Sequence, residues 1–138
     1  MTRDELINSA RSYLGTPFHH QGRLPHVGLD CAGLVVCAAS ENGYAVDDVR
    51  GYANIPSQGL FTQSVMGHCD KINIDELQAG DLCMFAFTSE PQHIAIVSSV
   101  EPLKIIHAYL QVNKVVENNL DGFWLKKLRG CYRLKGVE

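Results

Sequence analysis

One cysteine and two histidines of this 138-residue chain combine residue type and placement in a way that suits nucleophilic chemistry. Cys31 directly follows Asp30, a good helix N-cap, so it is expected in the first turn of a helix. Unpaired backbone N–H groups and the helix dipole favour an anion there, which makes a thiolate the expected form. A cysteine titrates ordinarily near about 8.5, and a helix N-terminus with a nearby imidazolium lowers that below neutrality. The same N–H groups suit an oxyanion. His93 and His107 lie on two apolar segments expected to pair as an antiparallel hairpin, nearly opposite one another and on one face. A slip of one residue would send one of them to the other face. In register, His93 takes the thiol proton and His107 orients its imidazole, the nucleophile, base and orienter logic of cysteine hydrolases.

The remaining cysteines, at 37, 69, 83 and 131, sit in apolar or undistinguished surroundings and read as small buried residues. Five cysteines with no close-spaced pair are expected to be reduced thiols. Neither they nor the six histidines show the short Cys-x-x-Cys or His-x-x-x-His spacings of zinc sites, so no metal and no cofactor is expected.

The elements that must position this chemistry follow from pattern. Thr2 and Glu5 have capping-box spacing, and Leu6, Ile7, Ala10, Tyr13 and Leu14 mark one apolar helical face that Gly15 ends. Residues 15–28, with three glycines, two prolines and three histidines, form an ordered but irregular loop. A second helix starts after Asp30, with Cys31, Leu34, Val35 and Ala38 on one face and Asn42-Gly43 as its end. Residues 44–60 are turn-rich, and 60–69 is a candidate short helix. Gly80-Asp81 then turns into the apolar run 82–87, a buried central strand, followed by strands at 93–100, 104–110, 115–120 and 131–134. Helices followed by strands indicate an α+β fold with helices packed on one antiparallel sheet.

Length and a 46% hydrophobic content fit one domain over residues 1–138. A formal charge of −3 with scattered basic residues excludes the cationic face that nucleic-acid binding requires. No apolar run suggests a signal peptide or a membrane span, so a soluble product, cytoplasmic when synthesised, is expected.

The residues Leu14-Gly-Thr-Pro-Phe-His-His-Gln-Gly-Arg23, Gly28-Leu-Asp-Cys-Ala-Gly-Leu-Val35, Gly80-Asp-Leu82, His93-Ile-Ala-Ile-Val97 and Ile106-His-Ala108 resemble, in order, the NlpC-type family of papain-like cell-wall cysteine peptidases. The resemblance implies a papain-like fold with N-terminal helices on a mostly antiparallel sheet. It implies Cys31 as nucleophile, His93 as base and His107 as the third, orienting member. The substrate it implies is a peptidoglycan stem peptide, often cut beside a γ-linked D-glutamyl residue. The wording Pro17 to Arg23 resembles the branch encoded by phages and prophage-like particles, which implies phage tail proteins as partners and a virion-borne enzyme.

Two positions depart from the family pattern. Phe18 stands where many relatives have tyrosine, and Ala32 follows the nucleophile where serine is common, so substrate preference is open while the catalytic trio is untouched. Around the trio, Asp30, Phe18, His20 and Arg23 are candidate substrate contacts. Capping alone also explains Asp30, and a solvated loop position also explains Arg23, which would otherwise clamp a carboxylate. His19 and His26 are expected near the cleft, and Trp124 as a core or anchoring aromatic. An acyltransferase or amidase of the same fold, and a structural tail component without activity, are the alternatives.

Overall fold

A computed structural model describes residues 1–46, 67–87 and 93–138. The turn-rich expectation for 47–60 and most of the candidate helix at 60–69 lie outside the described residues. Helix α1 spans Arg3–Ser12. Thr2 Oγ1 accepts from the Glu5 N–H at 3.1 Å while the Glu5 carboxylate accepts from the Thr2 N–H at 3.4 Å, closing the capping box. Leu6, Ile7, Ala10 and Tyr13 are buried as expected. Leu14 is not: it lies beyond the last turn and is 42% exposed, because the chain leaves the helix at Tyr13 and carries it off the apolar face.

The glycine-rich loop is tied down by two short paired strands, β1 (Arg23–Leu24) and β2 (Gly28–Leu29). Helix α2 follows at Cys31–Glu41, capped by Asp30, whose carboxylate accepts from the Gly33 N–H at 2.7 Å. Gly33 is required by space, since a Cβ there would stand 2.1 Å from the Gly22 carbonyl oxygen. The loop backbone thus lies directly on the first turn of α2.

Six strands form one antiparallel sheet in the order β3-β8-β4-β5-β6-β7: β3 Cys69–Ile72, β4 Leu82–Phe85, β5 His93–Val100, β6 Leu103–Tyr109, β7 Lys114–Asn119 and β8 Leu128–Leu134. Cys69, the expected end of a helix, instead opens an edge strand paired with β8. Side-chain alternation splits the buried residues in two. Leu82, Met84, Ile94, Ile96 and Ile106 pack with α1 and α2, whereas Cys83, Phe85, Ala95, Val97 and Ile105 pack with Trp124 on the opposite face. Trp124 belongs to a short helix, α3 (Gly122–Lys127), capped by Asp121. The sheet is therefore covered on both faces, which explains why all four residues of β4 are buried. Cys83 and Cys131 stand directly opposite on β4 and β8, and the chain carries no disulfide among its described residues.

Asp81 joins the layers. It is fully buried, accepts from Arg3 Nη1 at 2.9 Å and from Arg133 Nε and Nη2 at 3.0 and 2.9 Å, and receives the Gln78 N–H at 2.8 Å. Burial alone would raise its pKa, but the guanidinium groups of Arg133 and Arg3 prevail and hold it below the ordinary carboxylate value. Gly80, at φ +94°, makes the turn before it and leaves room for the Arg3 side chain, to which a Cβ would come within 2.9 Å.

Candidate active site

The two histidines come together because of an irregularity in the hairpin. Near the Glu101-Pro102 turn, Val100 pairs with Leu103 and Ser99 with Lys104, but beyond the bulge Val97 pairs with Ile105 and Ile96 with Ile106. Ser98 is the extra residue. Continued past the bulge, this register sets Ala95 opposite His107, so His93 and His107 share a face on a diagonal two residues apart. Without the extra residue they would point to opposite faces. Ser98 Oγ donates to Glu117 Oε2 of β7 at 2.6 Å, and Arg11 of α1 donates to both oxygens of Glu117 at 3.3 and 3.1 Å. The bulge is thus held from two other elements.

His93 Nε2 lies 2.7 Å from His107 Nδ1, and His107 Nε2 lies 2.6 Å from Asn118 Oδ1. This chain is enclosed by aromatic rings. Trp124 stacks on His93 at 5.6 Å between centroids and meets His107 edge-on at 4.8 Å, and Phe85, Phe87 and Tyr109 surround His93 at 5.7 to 5.9 Å. The apolar enclosure disfavours the charged imidazolium. Burial, reinforced by His107, lowers the pKa of His93 well below 6.5, and burial lowers that of His107 to about 4 against the opposing effect of its hydrogen bond to Asn118 Oδ1. Both rings are neutral at pH 7.

Cys31 opens α2 as expected and is 8% exposed. The backbone N–H groups of Ile94, Ala32 and Cys31 itself reach its sulfur, which places the thiol beside β5 one residue from His93. The expectation of a resting thiolate is not met. Burial in the apolar core, with the Asp30 carboxylate adding repulsion, pushes the thiol up to about 12, outweighing the lowering by the three N–H groups. No hydrogen bond joins the sulfur to His93 among the described residues. Such contacts often tighten only when substrate is bound.

Of the candidate substrate contacts, Asp30 and Arg23 are engaged with each other. Arg23 Nη1 donates to Asp30 Oδ1 at 2.9 Å, with side chains only 8% and 3% exposed, and the Gln21 N–H donates to Asp30 Oδ2 at 2.9 Å. Arg23 is a buried ion-pair partner here and not a solvated loop residue, because Asp30 both caps α2 and clamps the loop onto it. Phe18 and His20 remain half-exposed on the same loop, and His19 and His26 are exposed. Trp124 is a core residue that walls the histidine pair.

Sequence reasoning missed Asn118 and the Ser98 bulge. Asn118 pairs with Ile105 of β6 and His107 with Val116, so Asn118 shares the face of His107 one step along the sheet. No sequence signal singled out Asn118, since its facing His107 emerges only once β6 and β7 pair.

Protonation here couples to stability. The unfolded chain binds protons at His93 and His107 near pH 6.5, whereas the folded chain stays neutral until much lower pH, so stability is full above about 6.5 and declines as pH falls toward 4. For His107 alone, a depression from 6.5 to about 4 corresponds to roughly 3 kcal/mol. Urea unfolding at pH 7 and pH 4.5 is expected to show this loss, reduced in His107→Gln. Equal pH dependence in the two proteins would remove His107 as its source.

Residues 15–133 match the model of the NlpC/P60 family. None of the curated proteins matches the chain in sequence. Among solved structures, the chain is similar to an NlpC/P60 family protein from Bacillus cereus ATCC 10987, at 22% identity and TM-score 0.76, covering 97% of this chain and 40% of that one. It is also similar to a lipoprotein-like NLP/P60 protein from Staphylococcus aureus subsp. aureus Mu50, at 22% identity and TM-score 0.72, covering 99% of this chain and 41% of that one. The NlpC/p60 domain of the peptidoglycan hydrolase SagA gives 21% identity and TM-score 0.70, covering 97% of this chain and all of that domain. The chain therefore spans about two fifths of the length of the first two proteins, and these likenesses establish the shared papain-like fold. With the family model matched over most of its length, the chain belongs to the NlpC/P60 family.

Proposed function

We propose that this protein is a cysteine peptidase that hydrolyses peptide bonds in peptidoglycan stem peptides, with Cys31 as nucleophile, His93 as base and His107 as its orienting partner. The observation that carries this reading is the hydrogen-bonded pair His93–His107, with the N–H of Ile94, the residue after His93, reaching the thiol that opens α2. Membership of the NlpC/P60 family and a fold shared with a domain of a peptidoglycan hydrolase support the choice of substrate.

In this mechanism the Cys31 sulfur attacks the scissile carbonyl as its proton passes to His93 Nδ1, the imidazole nitrogen not engaged by His107. Backbone N–H groups at the start of α2 stabilise the oxyanion. His93 returns the proton to the leaving amine, and water, deprotonated by the same imidazole, releases the acyl group from sulfur. Because the thiol starts protonated, attack and proton transfer are concerted. Phe18 and His20, half-exposed on the loop over the N-terminus of α2, are the side chains assigned to substrate contact, while Asp30 and Arg23 hold that loop. The bond assigned is the one beside γ-linked D-glutamate, and the setting assigned is a phage or prophage tail, from the resemblance of Pro17 to Arg23.

Mass spectrometry of purified stem peptides after incubation tests the reading. The wild type is expected to release a fragment with a new amine at the γ-D-glutamyl junction, and Cys31→Ala none. No cleavage by wild-type protein, or the same products from both, would overturn it. A product carrying an added amine acceptor instead of water would assign acyl transfer.

A further inference from the structure

We infer that Asn118 is a positioning residue that sets the proton arrangement of both imidazoles, so that His93 carries an unprotonated Nδ1 able to accept a thiol proton; the catalytic consequence rests on the peptidase reading above. The orientation of the Asn118 carboxamide is decided by its own neighbour. Its Nδ2 donates to the Asn119 carbonyl at 3.0 Å, and the opposite flip would set Oδ1 against that carbonyl oxygen, two acceptors face to face. With Nδ2 so engaged, Oδ1 faces His107 Nε2 at 2.6 Å.

An amide oxygen only accepts, so the proton of this bond belongs to His107 Nε2. A neutral His107 protonated at Nε2 has a lone pair at Nδ1, and the 2.7 Å contact with His93 must then be donated by His93 Nε2–H. A neutral His93 protonated at Nε2 has its own lone pair at Nδ1. Each proton follows from the one before it, and the series starts at a backbone carbonyl. Reversing the carboxamide would reverse every step and leave His93 with a proton on Nδ1, unable to accept one from a thiol. Among the described residues no other hydrogen bond reaches either imidazole, from the Tyr109 hydroxyl or elsewhere, and His107 has no exposed surface through which water could set a competing pattern.

Long-range proton–nitrogen NMR of protein labelled with nitrogen-15 at histidine reads this directly in the resting enzyme. The wild type is expected to show both His93 and His107 as Nε2–H tautomers. His93 found as the Nδ1–H tautomer would overturn the inference, whether or not the protein is active. In Asn118→Leu the two rings are expected to exchange between tautomers, and in Asn118→Asp, which retains an acceptor, to keep the wild-type pattern. Stem-peptide turnover is expected to fall on the order of 10- to 100-fold in kcat in Asn118→Leu with KM little changed, and to recover in Asn118→Asp. Unchanged tautomers and kcat in a folded Asn118→Leu would make Asn118 a bystander. A wild type with the expected tautomers but no cleavage would overturn the peptidase reading and leave the proton arrangement standing.

Discussion

Cys31→Ser is expected to lower kcat/KM on a stem-peptide substrate by on the order of 10⁴-fold or more, with little change in the urea midpoint. The substitution keeps the shape of the side chain at the head of α2 with a slightly smaller, more polar atom, so Asp30 still caps the helix and the Ile94 N–H still has an acceptor. The chemistry is what changes. A hydroxyl gives up its proton far less readily than a thiol, and His93, whose enclosure by aromatic rings holds its pKa well below 6.5, is too weak a base to take it. The same enclosure shapes the reactivity of the wild-type thiol. With the thiol pushed up to about 12, iodoacetamide labelling of Cys31 is expected to be slow at neutral pH and to climb through the alkaline range. Labelling that reaches a plateau by pH 6 would instead put the resting proton on His93. Near-wild-type turnover by Cys31→Ser would show that another group is the nucleophile.

Asp81→Ala is expected to cost about 3–5 kcal/mol of folding stability, read as a fall in the urea midpoint at pH 7. The carboxylate receives two guanidinium groups and a backbone N–H and is fully buried, so its removal leaves Arg3 and Arg133 facing one another across a void. Arg3 sits at the start of α1 and Arg133 on β8, and the variant therefore loosens the contact between the first helix and the sheet. A loss of this size is about a fifth or more of the stability typical of a domain. A drop below about 1 kcal/mol would mean that water takes the place of the carboxylate. The sign with pH follows from the lowered pKa: the contribution of Asp81 is present above the ordinary carboxylate range and fades as pH falls through its folded value.

Much of the site was legible because local rules decide it. Asp30 before an apolar helical stretch places Cys31 in a first turn by capping alone, and Thr2 with Glu5 specifies the start of α1 in the same way. The histidines could be assigned to adjacent strands because apolar runs bound by turns read clearly. Their sharing of a face could not be derived, since it depends on one unpaired residue whose cause, the Ser98–Glu117–Arg11 series, spans three elements far apart in sequence. Asn118 was invisible for a similar reason, being polar on a strand whose neighbours emerge only after pairing. Strand β3 lies at a sheet edge with no buried side chain in its four residues, and α3 has only six residues; neither offers a hydrophobic period long enough to read. The thiol's protonation was misjudged because a helix terminus is a local feature, while burial depends on everything packed around it.

The bulge at Ser98 also bears on how this hairpin can vary in length. Both histidines are carried by strands whose residues alternate between faces, so the count of positions separating the turn from His93 sets its face, by odd or even, and also its distance along the strand from His107. Two residues gained in β5 would leave His93 on the face of His107 but carry it about 7 Å further along the strand, out of hydrogen-bond reach, whereas one would carry it to the side of α2; both end the contact. The Glu101-Pro102 turn joins the strands after this count is made and is free of that constraint. Length variation in such a domain is thus expected to collect in the connecting turn and to be absent from the part of β5 between the turn and His93.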